Sequence, residues 1–481
     1  MDLPSELSFG SRHSRHWRIE GFSADYYNAL YVTFLADDPD AQHPPYHLLC
    51  VLNDDDDALD TLFAASYPET SETVIDRQTI ECLASSIASR LEAWSRRRNV
   101  PSLLESLTMG SRFHLDSDTN GEDAGVWLCP NIELERRYLS LSRLQQLWEP
   151  LSLEMPPTLR MEELRAVRRL HDSVSAVLLP DGTQAVFKGA VRVVARLYHE
   201  LRELLRLPSH PNLISRPSFI VTRQVPNRPE AIVCGFILQY HTGGSLVNRL
   251  KDCAAFGEKS QLSMHTKVKW IFQLISALKH IHTCQGGFYS DLRLDNMVIT
   301  EKEDIVLVDL EQCGSARRWL HPNAWPSSSD EEPKAWEESP INPAHMPKGI
   351  FYSNPQSGYF KPFAHATDPE RQMMENYSLA KVMWCIFEEQ TNSKTYLDVD
   401  GLPGPHCVFP KFDKTPWRMR YWIWLCTRVS AEWGDAECTC RPEEAPVCVM
   451  TGARMQQGSE VGPGLLETWK YLQATFNSGQ G

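Results

Sequence analysis

The sequence lacks any apolar run that approaches the roughly 20 residues a membrane-spanning helix needs. One of its strongest apolar stretches, Tyr421–Cys426, is far too short to cross a bilayer. The N-terminal residues 1–6 also lack the basic region and apolar core of a secretory signal. We therefore expect a cytoplasmic or nuclear protein with no membrane partner.

Positive charge is also scarce. The chain has 48 Lys and Arg residues against 62 Asp and Glu residues, which gives a formal net charge of −14. This balance argues against a general nucleic-acid binder, because such proteins neutralise phosphates with basic side chains. The hydrophobic fraction of 42% and the charged fraction of 23% fit an ordinary globular protein. At about 150 residues per domain, the 481 residues allow about two to four domains.

Convincing metal-binding cysteine pairs are missing as well. The 13 cysteines are odd in number and scattered, and without an export signal we expect reduced thiols. Cys438, Cys440 and Cys448 come nearest to a zinc motif, but they lack a second pair of ligands at a suitable spacing. The sequence contains no internal repeat.

Residues 1–157 contain no recognisable motif. Residues 28–35 and 46–52 have the composition of strands, and residues 139–148 have that of a helix. A further helix is predicted from an apolar stripe at helical spacing, formed by Ile80, Leu83, Ile87, Leu91 and Trp94. We predict an α+β region of unknown role, either a small domain or a regulatory extension that binds a partner.

The most informative part of the chain is residues 289–311. It reads as a loop, a strand, a short polar turn and a second strand, with Asp291, Asn296 and Asp309 at the strand ends. A carboxylate can accept a hydroxyl proton, while a carboxamide and a second carboxylate can hold Mg²⁺. This set of side chains favours phosphoryl transfer. Alone it is a weak signal, because Asp and Asn are common in surface hairpins.

A second candidate group lies upstream. Residues 184–188 form a predicted strand that ends in Lys188, directly after the turn residues 180–183. The helical segment 197–207 carries Glu200, twelve residues after Lys188. A helix packed on the sheet can present this carboxylate to the lysine, which then meets phosphates as a point charge. The alternative is that Lys188 points to solvent.

The order of these features resembles that of a eukaryotic-type protein kinase, over about residues 158–475. The resemblance implies an α+β, bilobal fold. Residues 158–240 would form a small β-rich N-lobe and residues 241–481 a mainly helical C-lobe with a C-terminal helix, preceded by the 1–157 extension. Residues 352–356 look like the end of an activation segment, and residues 375–380 like the start of the buried central helix of the large lobe.

The resemblance also implies roles for individual residues and the cofactors ATP and Mg²⁺. Asp291 would be the catalytic base, with Arg293 beside the transferred phosphoryl group; Lys188 would be the phosphate lysine, with Glu200 as its partner and Glu203 as a weaker candidate. Asn296 and Asp309 would be the metal ligands. Besides Lys188, the nucleotide-binding residues would be Val177, Val186, the gatekeeper Leu238, the hinge residues Gln239 and His241, and Val298.

Several positions depart from the protein kinase pattern. The phosphate loop, residues 170–177, has no glycine, and Asp172 would add negative charge near phosphates. Tyr289-Ser290 stands where the family has His-Arg. Glu311 replaces the glycine after the metal-binding aspartate, and Gln356 replaces a glutamate at the end of the segment.

Three functions therefore remain open. The leading hypothesis is ATP-dependent transfer to protein Ser/Thr hydroxyls, which the resemblance to the family favours over transfer to tyrosine. The departures favour a pseudokinase that acts as a binding or scaffold module. The Asp309-Leu310-Glu311 sequence favours a small-molecule kinase resembling the aminoglycoside and choline phosphotransferases. The physiological substrate is not predicted by the sequence.

Overall fold

A computed structural model of the chain describes residues 14–23, 29–35, 44–51, 77–115, 125–171, 173–191, 193–226, 228–256, 261–285, 287–311, 363, 366–391 and 412–427. The chain is α+β and divides into two compact units. The first holds the described residues up to Arg206 together with Ser215–Tyr240. The second holds Leu207–Ile214 and the described residues from His241 onward.

The first unit begins with a five-stranded sheet in the order β1-β2-β3-β4-β5. Adjacent strands are antiparallel except for the parallel pair β3 and β4. Apolar side chains of this sheet and of two helices form one buried core, which includes Trp17, Phe113 and Leu91. The elements are β1 Trp17–Ser23, β2 Ala29–Phe34, β3 Leu48–Val51, α1 Arg77–Ser95, α2 Val100–Ser106, β4 Arg112–Leu115 and β5 Val126–Cys129.

Local sequence explains these elements. Helix α1 covers the predicted apolar stripe, and its Ile87, Leu91 and Trp94 are buried. Helix α2 begins after Asn99, whose side-chain oxygen accepts a hydrogen bond from the Ser102 N–H group at 3.3 Å. The two predicted strands and the α1 helix of this region are confirmed, with ends shifted by one to three residues.

A six-stranded sheet completes the first unit, in the order β6-β10-β11-β9-β8-β7. Only the β6–β10 pairing is parallel. The turn between β8 and β9 uses Gly182, whose φ of +83° is accessible mainly to glycine. The elements are α3 Ile132–Arg137, α4 Leu141–Trp148, β6 Thr158–Arg160, β7 Arg165–His171, β8 Val174–Leu178, β9 Gln184–Gly189, α5 Val194–Arg206, β10 Phe219–Arg223 and β11 Ile232–Gln239.

Polar contacts join the two sheets of the first unit. The backbone N–H of Arg169 donates to a Glu20 carboxylate oxygen at 2.7 Å. His47 Nε2 lies 3.0 Å from Ser175 Oγ, and both side chains are buried. The predicted domain boundary at residue 157 falls within this unit.

The second unit is mainly helical and contains a two-stranded sheet, β12 paired antiparallel with β13. The predicted polar turn between these strands contains Glu303 at a φ of +56°. Helix α8 includes residues 375–380, which the resemblance places at the start of a buried helix, and its residues 374–388 are all buried. The elements are α6 Leu246–Phe256, α7 Met264–Gln285, β12 Met297–Ile299, β13 Ile305–Leu307, α8 Asp368–Glu388 and α9 Trp417–Thr427.

Some predicted features lie outside the described residues: residues 352–356, the three clustered cysteines and the predicted C-terminal helix of the C-lobe. Within the described part of the chain, no helix combines the length and the apolar character that a membrane crossing requires.

A buried carboxylate links α7, α8 and the stretch before β12. Glu375 on α8 has a side chain with no solvent exposure, and its Oε2 lies 2.7 Å from Nε2 of His282 on α7. Its other oxygen accepts a hydrogen bond from the Tyr289 N–H group at 2.7 Å. Burial by itself lowers the pKa of His282, but the charge of Glu375 and its hydrogen bond outweigh burial and raise it above the ordinary value.

We predict a pH-dependent contribution of His282 to stability. Because the pKa of His282 is raised in the folded state, its stabilisation is complete below about pH 6.5, the unfolded pKa, and is lost as pH rises through the folded pKa. The His282→Gln variant should lose roughly 1–3 kcal/mol of unfolding free energy near pH 6 and progressively less at alkaline pH. Urea unfolding of both proteins from pH 6 to 9 tests this, and a difference that grows with pH would contradict it.

Candidate active site

Lys188 and Glu200 form a buried ion pair in the first unit. Lys188 Nζ on β9 lies 2.5 Å from Glu200 Oε2 on α5, and the two side chains are 6% and 0% exposed. Lys188 therefore does not point to solvent, which was the alternative left by the sequence. The structure thus brings together two residues that the sequence analysis selected at a spacing of twelve.

The weaker candidate, Glu203, binds other partners. Its Oε1 accepts from Arg202 Nε at 2.7 Å and from Arg206 at 3.3 Å. Arg202 also donates to His199 Nδ1 at 3.0 Å. Burial, then the charges of Arg202 and Arg206, lower the pKa of His199 to about 3, so its neutral ring can accept this bond. Glu200 is therefore the carboxylate that faces Lys188.

Strand register shows which residues share the face of Lys188. In antiparallel sheets, directly paired residues point to the same face. Phe236 pairs with Lys188, and Leu238 pairs with Val186, two residues before it. Val186 and Leu238 therefore lie on the face of Lys188, as their predicted nucleotide roles require. Val186 is only half-buried, so this face is not fully packed.

Val177 requires a correction. It pairs with Ala185, which lies three residues before Lys188 on β9. Because side chains alternate between faces along a strand, Ala185 and Val177 lie on the face opposite to Lys188. That face is packed inside the first unit, where the His47 and Phe187 rings have centroids 5.3 Å apart, and Val177 itself is fully buried. Val174 and Ala176 pair with Lys188 and Val186 and occupy the positions predicted for Val177.

The predicted hinge residues lie at the end of β11 and just after it. Gln239 is exposed and pairs with Ala185, so its side chain points away from the face of Lys188. Any contact that it makes to a ligand on that face would use its backbone. His241 is half-buried and belongs to the second unit, and burial lowers its pKa.

Asp291, Arg293 and Asn296 form a compact group in the second unit. The Asn296 side-chain amide donates to the Asp291 backbone carbonyl and to Asp291 Oδ2, both at 2.9 Å. Arg293 Nε lies 3.3 Å from Asp291 Oδ1. A one-turn 3-10 helix, Leu294–Asn296, creates this proximity. Asp291 is thus held at both carboxylate oxygens.

Asp309 lies just after β13 in a left-handed conformation, with φ of +63°. Such a conformation is costly for a residue other than glycine and marks positions held by their surroundings. Its carbonyl oxygen is 2.9 Å from the Tyr289 hydroxyl, which also lies 2.6 Å from the Val308 carbonyl. The Val308 N–H donates to the Asn296 backbone carbonyl at 2.9 Å, so the backbone directly before Asp309 is held against Asn296.

Val298 lies between these groups in sequence, at the centre of β12. It pairs with Val306 on β13 and bridges to Ser245 on its other side. The residue is half-buried, whereas its neighbours Met297 and Ile299 are buried. The predicted nucleotide contact of Val298 is thus compatible with its exposure and stays a prediction.

Sequence reasoning missed the residues that support this group. Glu375 was noticed only as part of an apolar helix, although a carboxylate inside a buried helix is itself a signal of an internal partner. Tyr289 was noted only as a departure from the His-Arg of the protein kinase pattern, although its hydroxyl lies within hydrogen-bond distance of two backbone carbonyls. His282 carried no signal that separated it from an ordinary helix histidine.

Comparisons with known proteins give short, partial similarities. No model of a known protein family matches the chain. The chain is 28% identical over 88 residues to the hormonally up-regulated neu tumor-associated kinase homolog of Xenopus tropicalis, which covers 18% of this chain and 12% of that protein. It is 25% identical over 118 residues to the fatty acyl-CoA synthetase and RNA processing-associated kinase 1 of Saccharomyces cerevisiae, which covers 24% of this chain and 12% of that protein.

A third relative, homolog B of the neu tumor-associated kinase from Xenopus laevis, is 30% identical over 88 residues, covering 18% of this chain and 13% of that protein. The chain therefore spans about an eighth of the length of the relatives it matches. The shared feature of all three names is the word kinase, and the similarities suggest a kinase-like family for this part of the chain.

Proposed function

We propose that this protein transfers the terminal phosphoryl group of ATP to a hydroxyl group, in the manner of a divergent protein kinase that acts on Ser or Thr side chains. The observation that carries the proposal is the arrangement of Asp291 and Asn296. The Asn296 side-chain nitrogen donates hydrogen bonds to Asp291. The oxygen of the same side chain is left as an acceptor next to a fixed carboxylate. Kinase-named relatives support the same reading.

Asp291 would act as the proton acceptor. The acceptor hydroxyl oxygen forms a bond to the γ-phosphorus while its proton passes to Asp291, and the bond to the β–γ bridging oxygen breaks with its electron pair leaving on ADP. Asn296 fixes the direction of the Asp291 carboxylate. The positive charge of Arg293, 3.3 Å from Asp291, can also offset charge on the transferred group.

The donor set fits a magnesium nucleotide. Carboxylate and amide oxygens are the ligands that Mg²⁺ prefers. Asn296 would offer its carbonyl oxygen, and Asp309, fixed through its backbone by Tyr289, would offer its carboxylate. The ion would neutralise negative charge on the phosphates. In the first unit, Lys188 would pair with the phosphates while Glu200 holds it in place.

One observation favours a small-molecule kinase instead. Carboxylate oxygens of Asp309 and Glu311 lie within 4.8 Å of each other, close enough to hold one ion. An acid two residues after the metal-binding aspartate is the feature that resembles the aminoglycoside and choline phosphotransferases. Small alcohols are therefore included among the acceptors below.

Another observation favours a pseudokinase. Only residues 172 and 173 separate β7 from β8, and neither is glycine. A short connection without glycine limits how closely backbone N–H groups can approach phosphates. Binding of Mg-ATP without turnover would support this alternative.

Replacement of Asp291 by asparagine should reduce transfer by roughly 10²–10⁴-fold, because the side chain keeps its shape but no longer accepts the proton. The measurement is transfer of labelled γ-phosphate from Mg-ATP, with a protein extract and a panel of small alcohols as acceptors. Asp295→Asn, a change of the same type in the same turn, is the matched control and should retain activity. Equal activity of Asp291→Asn and wild type would remove Asp291 from the mechanism.

Replacement of Lys188 by methionine should weaken Mg-ADP binding and also lower stability by about 3–5 kcal/mol, because the buried Glu200 carboxylate loses its partner. The double variant Lys188→Met/Glu200→Gln should recover most of that stability, since both charges are gone, but not the nucleotide affinity. Calorimetric titration and thermal unfolding separate the two effects. Wild-type affinity in a folded double variant would show that Lys188 does not bind phosphates.

A further inference from the structure

A short segment before α4, residues 138–140, extends the six-stranded sheet; we refer to it as the docking segment. The pairing of β9 with β11 ends at Gly189 and Gly235. At the preceding end of β11, the Val233 N–H donates to the Leu139 carbonyl at 2.8 Å, and Ser140 forms an antiparallel bridge with Ile232. The docking segment therefore pairs with the end of β11 that lies beyond the last β9 pair.

Helix α5 is attached to this segment through one side chain. Tyr198 lies two residues before Glu200 and is completely buried. Its hydroxyl accepts a hydrogen bond from the Leu139 N–H at 2.8 Å and donates to the Val233 carbonyl at 2.9 Å. A single hydroxyl group thus connects the helix, the docking segment and β11, with its donor and one acceptor position both used.

The strand that carries Lys188 is attached to the same segment. Tyr138 is buried, and its hydroxyl donates to the Ala190 carbonyl at 2.9 Å. Ala190 comes two residues after Lys188 and directly follows β9. The docking segment therefore contacts both chain segments whose side chains form the ion pair, each within two residues of the charged group.

The docking segment is itself fixed from its other side. The Arg228 guanidinium donates to the carbonyls of Tyr138 and Glu135, both at 2.8 Å. Ser142 Oγ donates to Glu230 at 2.6 Å. These contacts come from the connection between β10 and β11, so the docking segment is held by the sheet that it extends.

We propose that the docking segment positions α5 so that Glu200 stays paired with Lys188, and that Tyr198 is the positioning residue that connects them. The N-terminal region would then serve to keep this helix in place without a separate partner. The functional consequence rests on the proposed role of Lys188 in nucleotide binding.

The first test measures hydrogen exchange of residues 194–206 in the full chain. The Tyr198→Phe variant keeps the ring but removes the hydroxyl, so α5 and the docking segment should exchange about tenfold faster, while α1 should not change. Tyr138→Phe removes the hydrogen bond between the docking segment and Ala190, and it should also speed exchange in α5 and the docking segment. Tyr46→Phe is the matched control, because the Tyr46 hydroxyl has no hydrogen bond to the described residues and its partly buried ring packs against the core of the first sheet.

The second test is a mutant cycle on Mg-ADP affinity. Tyr198→Phe should weaken binding several-fold in the wild-type background and have no further effect in the Lys188→Met/Glu200→Gln background, where no ion pair remains to be positioned. If Tyr198→Phe instead caused a general loss of structure, it would lower the Mg-ADP affinity equally in the wild-type and the double-variant backgrounds.

The outcomes separate the two proposals. Unchanged exchange of α5 in both tyrosine variants, or equally faster exchange throughout the first unit, would overturn the positioning role. Faster exchange confined to α5 and the docking segment supports it. If wild type then failed to bind Mg-ADP, the positioning role would stand and the proposed function would fall.

Discussion

The site in the first unit depends on one buried ion pair. Removing the charges of Lys188 and Glu200 from water costs several kcal/mol per ion, and close contact recovers that cost only when the geometry is good. The 2.5 Å approach therefore requires that β9 and α5 be fixed relative to each other. The Tyr198 hydroxyl on α5 and the Tyr138 hydroxyl of the docking segment each donate a hydrogen bond to a backbone carbonyl, which adds directional contacts to the hydrophobic packing of this region.

The second unit uses the same principle. Glu375 is buried within an apolar helix, and its two oxygens contact His282 and the Tyr289 backbone. The Tyr289 hydroxyl in turn reaches the carbonyls of Val308 and Asp309. Asp309 can keep its left-handed backbone because these bonds offset the cost. In both units, a buried polar group with fully specified partners fixes the backbone next to a predicted site residue.

Sequence patterns predicted the elements better than their contacts. The strand ending in Lys188 was predicted from the residues themselves and the start of α8 from the resemblance to protein kinases, and both are present. Val177 was misplaced because alternation shows that a strand has two faces but not which one faces a ligand; only the pairing with Ala185 decides this. Tyr198 was invisible for a related reason: in a helical pattern it is indistinguishable from an ordinary core aromatic, and its partner Leu139 is 59 residues away.

The departures from the kinase pattern become consistent when these contacts are considered together. Tyr289 stands where the protein kinase pattern has histidine, and its hydroxyl lies within hydrogen-bond distance of the Val308 and Asp309 carbonyls. Ser290 has no positive charge with which to bind a phosphorylated segment. In the first unit, the Leu139 N–H of the docking segment donates to the Tyr198 hydroxyl on the helix that carries Glu200. The helix that carries Glu200 is therefore held by hydrogen bonds within its own unit, and the proposed positioning role needs no phosphorylated segment.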